Sequence, residues 1–195
     1  MTIERVWYQI TNWKAHLRAW WLGRKVIAAG GQVYKGLLQA TAIRCGCGHP
    51  EAHVKAVCPM GRRVALGTVG RRVVTNAGVA YMAQDFNAAT GGADVSNFNY
   101  HDSGTGTNAE NVTDTALQTA AGPARVAGTQ SNPAGGQYRT VATITYAGTQ
   151  AITEHGLFSA STVGTLWDRT VFSAINVNSG DSIQFTYTLT CNAGG

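Results

Sequence analysis

Residues 183–191 read Ile183, Gln184, Phe185, Thr186, Tyr187, Thr188, Leu189, Thr190, Cys191, large apolar side chains alternating with glutamine and threonine. A period of two places Ile183, Phe185, Tyr187, Leu189 and Cys191 on one face, the pattern of a strand with one side on a core and one in water. Cys191 on that face is expected to be a buried, unreactive thiol. Noisier alternation runs through 138–146, 151–159 and 166–177, divided by Gly135 with Gly136, by Gly148, by Gly164 and by Ser179 with Gly180. Strands joined by short links, with no helical segments between them, exclude a doubly wound parallel sheet. They predict a mainly β body, an antiparallel β-sandwich or jelly-roll-like fold.

The 195 residues are 44% hydrophobic and 13% charged, enough to bury a core and too apolar for a disordered chain. The formal charge of +5 conceals an asymmetry: residues 1–75 carry 12 Lys or Arg against 2 Asp or Glu, and residues 76–195 carry 3 against 8. This split predicts a basic head on a mildly acidic body; with residues 61–75 reading as the entrance to that body, the chain divides into an N-terminal docking arm over 1–68 and the β body over 69–195. A basic head suits an acidic partner surface. No apolar run reaches the length of a membrane span, and the mixed aromatic and basic start does not read as a secretory signal.

Within the head, Ile3, Val6, Trp7, Ile10, Trp13, Leu17, Trp20 and Trp21 recur at spacings of three and four, which predicts an amphipathic helix over 3–22. Such a face completes its own domain's core, docks on another subunit or lies at a membrane interface. Trp7, Ile10, Trp13, Leu17, Trp20 and Trp21, with Arg24 and Lys25 beyond them, are the candidate protein-docking residues. The segments 25–34 and 37–44 read as a weak hairpin or extended arm. Residues 61–75 read as short strands with basic outer positions, and Thr75 as the cap of a helix through Ala77, Val79, Ala80, Tyr81, Met82 and Phe86 that Gly91 and Gly92 end.

Cys45, Cys47, His49, His53 and Cys58 gather five potential metal ligands within 14 residues, with Gly46, Gly48 and Pro50 to turn the backbone. Four of them suit a tetrahedral structural zinc. The spacing departs from paired C-x2-C knuckles, so a loop of free thiols, or a disulfide from Cys58 to Cys45 or Cys47, stands beside that reading.

Catalytic constellations fail on geometry. His101, Asp102 and Ser103 are the residue types of a triad, but neighbours on a strand point to opposite faces. His155 beside Glu154 meets the same objection and reads as a structural histidine. The Gly104–Thr105–Gly106–Thr107 run lacks the lysine and helix of a phosphate loop and reads as a tight turn. Arg169 beside Asp168 reads as a local ion pair or an intersubunit contact. No enzyme activity is expected, and no helix-turn-helix, zinc-finger or RNP-like pattern supports nucleic-acid recognition.

The stretch Tyr100, His101, Asp102, Ser103, Gly104, Thr105, Gly106, Thr107, followed by Asp114, Thr115, Ala116 and Leu117, resembles a signature of virion structural proteins of tailed bacteriophages. YRTVAT at 138–143, ITEHGLFS at 152–159, LWDRTVFS at 166–173 and SGDS at 179–182 are similar to the same β-domains, in the same order. The resemblance covers roughly residues 69–195 and implies an architectural role in the virion, assembled in the host cytoplasm, with no catalytic residues. It implies a capsid cement or decoration protein whose head grips the major capsid protein and whose copies form a homo-oligomer. A tail, neck or fibre-associated component is the other reading it leaves.

Overall fold

Strand Ser182–Thr190 shows the alternation directly: Ile183, Phe185 and Tyr187 are fully buried, while Gln184 and Thr186 are half-exposed. In the computed structural model, which describes residues 35–44, 62–85, 94–134 and 136–190, this strand lies between two antiparallel neighbours. In chain order the strands are β1 (Lys35–Arg44), β2 (Arg62–Val74), β3 (Tyr100–Gly104), β4 (Val126–Ala127), β5 (Thr129–Ser131), β6 (Gln137–Thr145), β7 (Gln150–Phe158), β8 (Leu166–Val177) and β9 (Ser182–Thr190). A helix α1 (Asn76–Asp85) and a 3-10 turn (Val95–Asn97) complete the elements.

The strands run in the order β4-β3-β7-β8-β2-β1-β9-β6-β5, each antiparallel to its neighbours. The protein is therefore mainly β, built as two antiparallel sheets that share β2. The body of β2 pairs with β1, and its last residues, Val73 and Val74, pair with Arg169 and Asp168 of β8. Side-chain sizes match across the ladder. Phe185 stands between Ala40 of β1 and Ala142 of β6, so its ring occupies space the two alanines leave open. Around it pack Leu38, Leu66, Ile144, Ile152, Phe172 and Ile183 in the main apolar core. Each such side chain contributes about 1.5–3 kcal/mol by leaving water.

A second cluster joins Phe98, Leu157, Trp167 and Tyr187, with the Trp167 indole donating to the Tyr187 hydroxyl at 2.8 Å. Helix α1 rests on it. The Thr75 hydroxyl accepts from the Gly78 amide at 3.0 Å, an N-cap, and donates to the Leu166 carbonyl at 2.6 Å. Gly78 sits against Trp167 so closely that a β-carbon would stand 2.7 Å from its carbonyl oxygen.

The predicted strands over 138–146, 151–159, 166–177 and 183–191 correspond to β6, β7, β8 and β9, and the capped helix to α1. Three expectations near the head change or go unaddressed. β1 pairs with β2 and β9 rather than closing a hairpin with 25–34. The expected boundary at residue 68 falls inside β2, and Leu38, Ala40, Ala42, Val64 and Leu66, on its arm side, are core residues. Period-two alternation in 35–44 is weak because small Ala and Gly residues stand where Phe185 and its neighbours need room. The amphipathic helix over 3–22 and the rest of the arm before Lys35, as well as Phe86, Gly91 and Gly92, lie outside the described residues.

Candidate functional site

A polar network fills the sheet of β3, β7 and β8 on both of its faces. On the face toward the core, His101 lies opposite Leu157, and His155 opposite Ser103, which makes the two histidines diagonal neighbours across the β3–β7 ladder. Both are fully buried, and His101 Nδ1 and His155 Nε2 share a hydrogen bond at 3.0 Å. His101 Nε2 meets the Thr140 hydroxyl of β6 at 3.2 Å, and the His155 ring lies 4.5 Å from the Phe185 ring, centre to centre. Beside them the Ser103 and Tyr146 hydroxyls are 2.9 Å apart, and burial pushes the Tyr146 phenol far above its ordinary range.

The opposite face is covered by the segment 105–125, and Glu154 ties it down. This carboxylate is fully buried. Its Oε1 accepts from the Gly106 and Thr119 amides at 3.0 and 2.8 Å, and its Oε2 accepts from the Gln118 amide at 3.0 Å and from Arg169 Nε at 2.7 Å. Arg169 also donates to Asp114 at 3.0 Å and to the Asn108 carbonyl at 3.2 Å. The two carboxylates outweigh burial and hold the guanidinium pKa above its ordinary value. Gly104 and Gly106 are required by this approach: a β-carbon on Gly104 would stand 2.5 Å from Glu154 Oε1, and one on Gly106 would meet the same oxygen.

A second carboxylate holds the end of that segment. Asp102 Oδ2 accepts from Arg125 Nε at 3.2 Å, and its Oδ1 from the Ser103 amide at 2.8 Å. Burial dominates and holds its pKa above the ordinary aspartate range despite the arginine. Arg125 spans to the carbonyls of Ala160 and Val163 in the β7–β8 loop and lies 3.5 Å over the centre of the Phe158 ring.

The sequence objection to a triad therefore holds for neighbours, since His101 and Asp102 face opposite ways, yet register brings His101, Ser103 and His155 onto one face. That pairing was invisible in the sequence because 54 residues separate the histidines. Two other expectations are corrected. Arg169 pairs with Glu154 and Asp114, because Asp168 beside it points to the other face of β8. Residues 105–107 form an extended clasp under Glu154 rather than a tight turn.

Cys45, Cys47, His49, His53 and Cys58 lie outside the described residues, as do the candidate docking residues Trp7, Ile10, Trp13, Leu17, Trp20, Trp21, Arg24 and Lys25, and Cys191. Among the described residues no group of three or more His, Cys, Asp or Glu is arranged to hold a metal, and no helix is long and apolar enough to cross a membrane. On the surface, a groove of about 570 Å³ runs between the 121–126 segment and the end of β6, lined by Ala121, Pro123, Thr143, Ile144, Thr145 and Gln150. Compared with known proteins, the chain matches no family model, no curated protein and no solved structure.

Proposed function

We propose that this chain is a structural protein of a tailed-bacteriophage virion, a capsid cement or decoration protein whose β body is a sandwich and whose basic, tryptophan-rich head binds the shell. The observation that carries this reading is where the virion-like segments fall. Residues from separate stretches of that signature build the polar contacts on both faces of one sheet: His101, Thr140 and His155 meet on the core side, Gly106, Asp114, Glu154 and Arg169 meet on the other, and Asp102 holds Arg125. SGDS forms the β8–β9 turn, where Asp181 accepts from the Asn178 amide at 3.0 Å and from Arg44 at 3.3 Å. Their hydroxyls, imidazoles and carboxylates are engaged within the fold, so the signature specifies a shape. Two sheets sharing β2 around one apolar core support the sandwich reading.

In this reading the role is architectural and non-enzymatic, copies repeat by the symmetry of the particle, and the partner is the major capsid protein. Quantitative mass spectrometry of purified virions tests it. On the order of hundreds of copies per particle is expected for a shell component, whereas about six or twelve would move the protein to a tail or neck ring. Absence from the particle would overturn the virion role altogether.

A further inference from the structure

The two buried histidines lie where the strand order closes on itself. β4 pairs with β3 at one end of that order, β5 pairs with β6 at the other, and Gly128 alone separates β4 from β5. One continuous stretch, 126–131, therefore spans the edges of β3 and β6. The bond from His101 Nε2 to the Thr140 hydroxyl crosses from β3 to β6 at the same place, with Gly128 seated against both groups. His101, His155 and Thr140 are all fully buried. Because 105–125 joins β3 to β4, this seam also fixes both ends of the covering segment.

The bond between His101 Nδ1 and His155 Nε2 limits the charge the pair can hold. It needs one nitrogen carrying a hydrogen and one offering a lone pair, and the ring that offers the lone pair is neutral, whichever of the two it is. The closed pair therefore carries at most one positive charge. In water both imidazoles take a proton below about pH 6.5. We propose that the pair is an acid-sensitive latch: a second proton on it breaks the bond between the rings and parts β3 from β6 along the 126–131 stretch.

The surroundings set the terms of that opening. On the face of the histidines, β9 brings Phe185 and the Tyr187 phenol, β6 brings Thr140, and β2 brings Gly70 against Thr170. The Tyr146 phenol meets Ser103. Asp168 of β8, buried and in register with Leu157, is the carboxyl that the ladders place on this face; it sits between β7 and β2 and so belongs to the closed and the open form alike. On the reverse face Glu154 is held by Arg169 and Asp102 by Arg125. Of these, Asp102 acts in the opposite sense, since the folded chain holds its proton more readily. Once the seam opens, both imidazoles reach water. Below about pH 6 the open form then binds at least one proton more on the pair than the closed form, and each pH unit shifts the balance toward opening by about tenfold or more.

The inference rests on the fold and not on the virion reading, and its test needs no virion, so the two fail separately. Hydrogen exchange is followed on the full-length protein between about pH 7.5 and about pH 5.5 and compared with His101→Gln combined with His155→Gln, a pair of amides that cannot take up the protons. The comparison cancels Asp102 and the histidines elsewhere in the chain. Expected is a fall in wild-type protection at residues 100–103 and 139–141, relative to the double variant, of about tenfold per pH unit below about pH 6, with residues 37–43 and 64–69 unchanged. Should the double variant not fold, histidine side-chain 15N NMR of the wild type decides, because one of the two rings must stay neutral for as long as the seam amides are protected. A ratio independent of pH, a loss spread evenly over all strands, or both rings charged with the seam still protected would each overturn the proposal.

Discussion

Glu154 accepts four hydrogen bonds, three from backbone amides and one from a buried guanidinium, so both of its oxygens are saturated. Replacing it with glutamine keeps the shape but turns one acceptor into a donor facing N–H groups, and it takes a counter-charge from Arg169. Glu154→Gln is expected to destabilise the fold by about 3 kcal/mol or more, measured by urea denaturation. A loss below about 1 kcal/mol would show that the clasp over 105–125 is held by something else. Asp102 behaves in the opposite sense. Its raised pKa means the folded chain holds that proton more readily than the unfolded chain, so its contribution to stability is complete below about pH 4 and is lost as pH rises through the elevated folded value. The melting temperature of the wild type relative to Asp102→Asn should therefore fall as pH rises above about 4; a difference that is flat or grows would contradict the burial effect. Neither role was legible in the sequence. Glu154 sits in a strand whose alternation is broken by a register shift between Ile152 and Glu154, and Asp102 finds its partner 23 residues away across a covering segment.

Where an element carries its own signal, the sequence was readable. Alternation marks β9, Leu166 to Val177 delimits β8, and Thr75 announces the start of α1 through a hydroxyl that does cap it. β1 carries almost none of that signal, since Ala40 and Ala42 are selected by the bulk opposite them and not by their own hydrophobicity. The β1–β2 hairpin bears on the cysteine and histidine cluster. Its last rung pairs Arg44 with Arg62, which brings the two ends of the 45–61 segment to neighbouring strands. A closed loop loses less entropy on gathering ligands than an open chain does. Elemental analysis of the intact protein tests the zinc reading, which requires one zinc per chain. That zinc should be lost when Cys45 and Cys47 are both changed to serine, with Tm falling on chelation only in the unsubstituted protein. A metal-free preparation with titratable thiols would leave the loop of free cysteines as the answer.

For the molecule as a whole, the decisive point is Gly128, the single residue between β4 at one end of the strand order and β5 at the other. A β-carbon there would press on the Thr140 hydroxyl and stand 2.9 Å from His101 Nε2, where β3 meets β6. Gly128→Ala should cost about 1–3 kcal/mol, with hydrogen exchange accelerated first at residues 100–101 and 139–141; uniform exchange across all strands would argue against a local seam. The strand order has a further consequence for how the chain is made. Among the described strands β1, made earliest, lies beside β9, made latest, with Lys35 opposite Thr190, so the one waits for the other. While the ribosome is still translating the intervening segments, the middle of the sheet has an unfilled slot, and the nascent chain must be kept from filling it with a stranger. Loss of residues 182–190 would remove a strand from inside the sheet, not from its fringe.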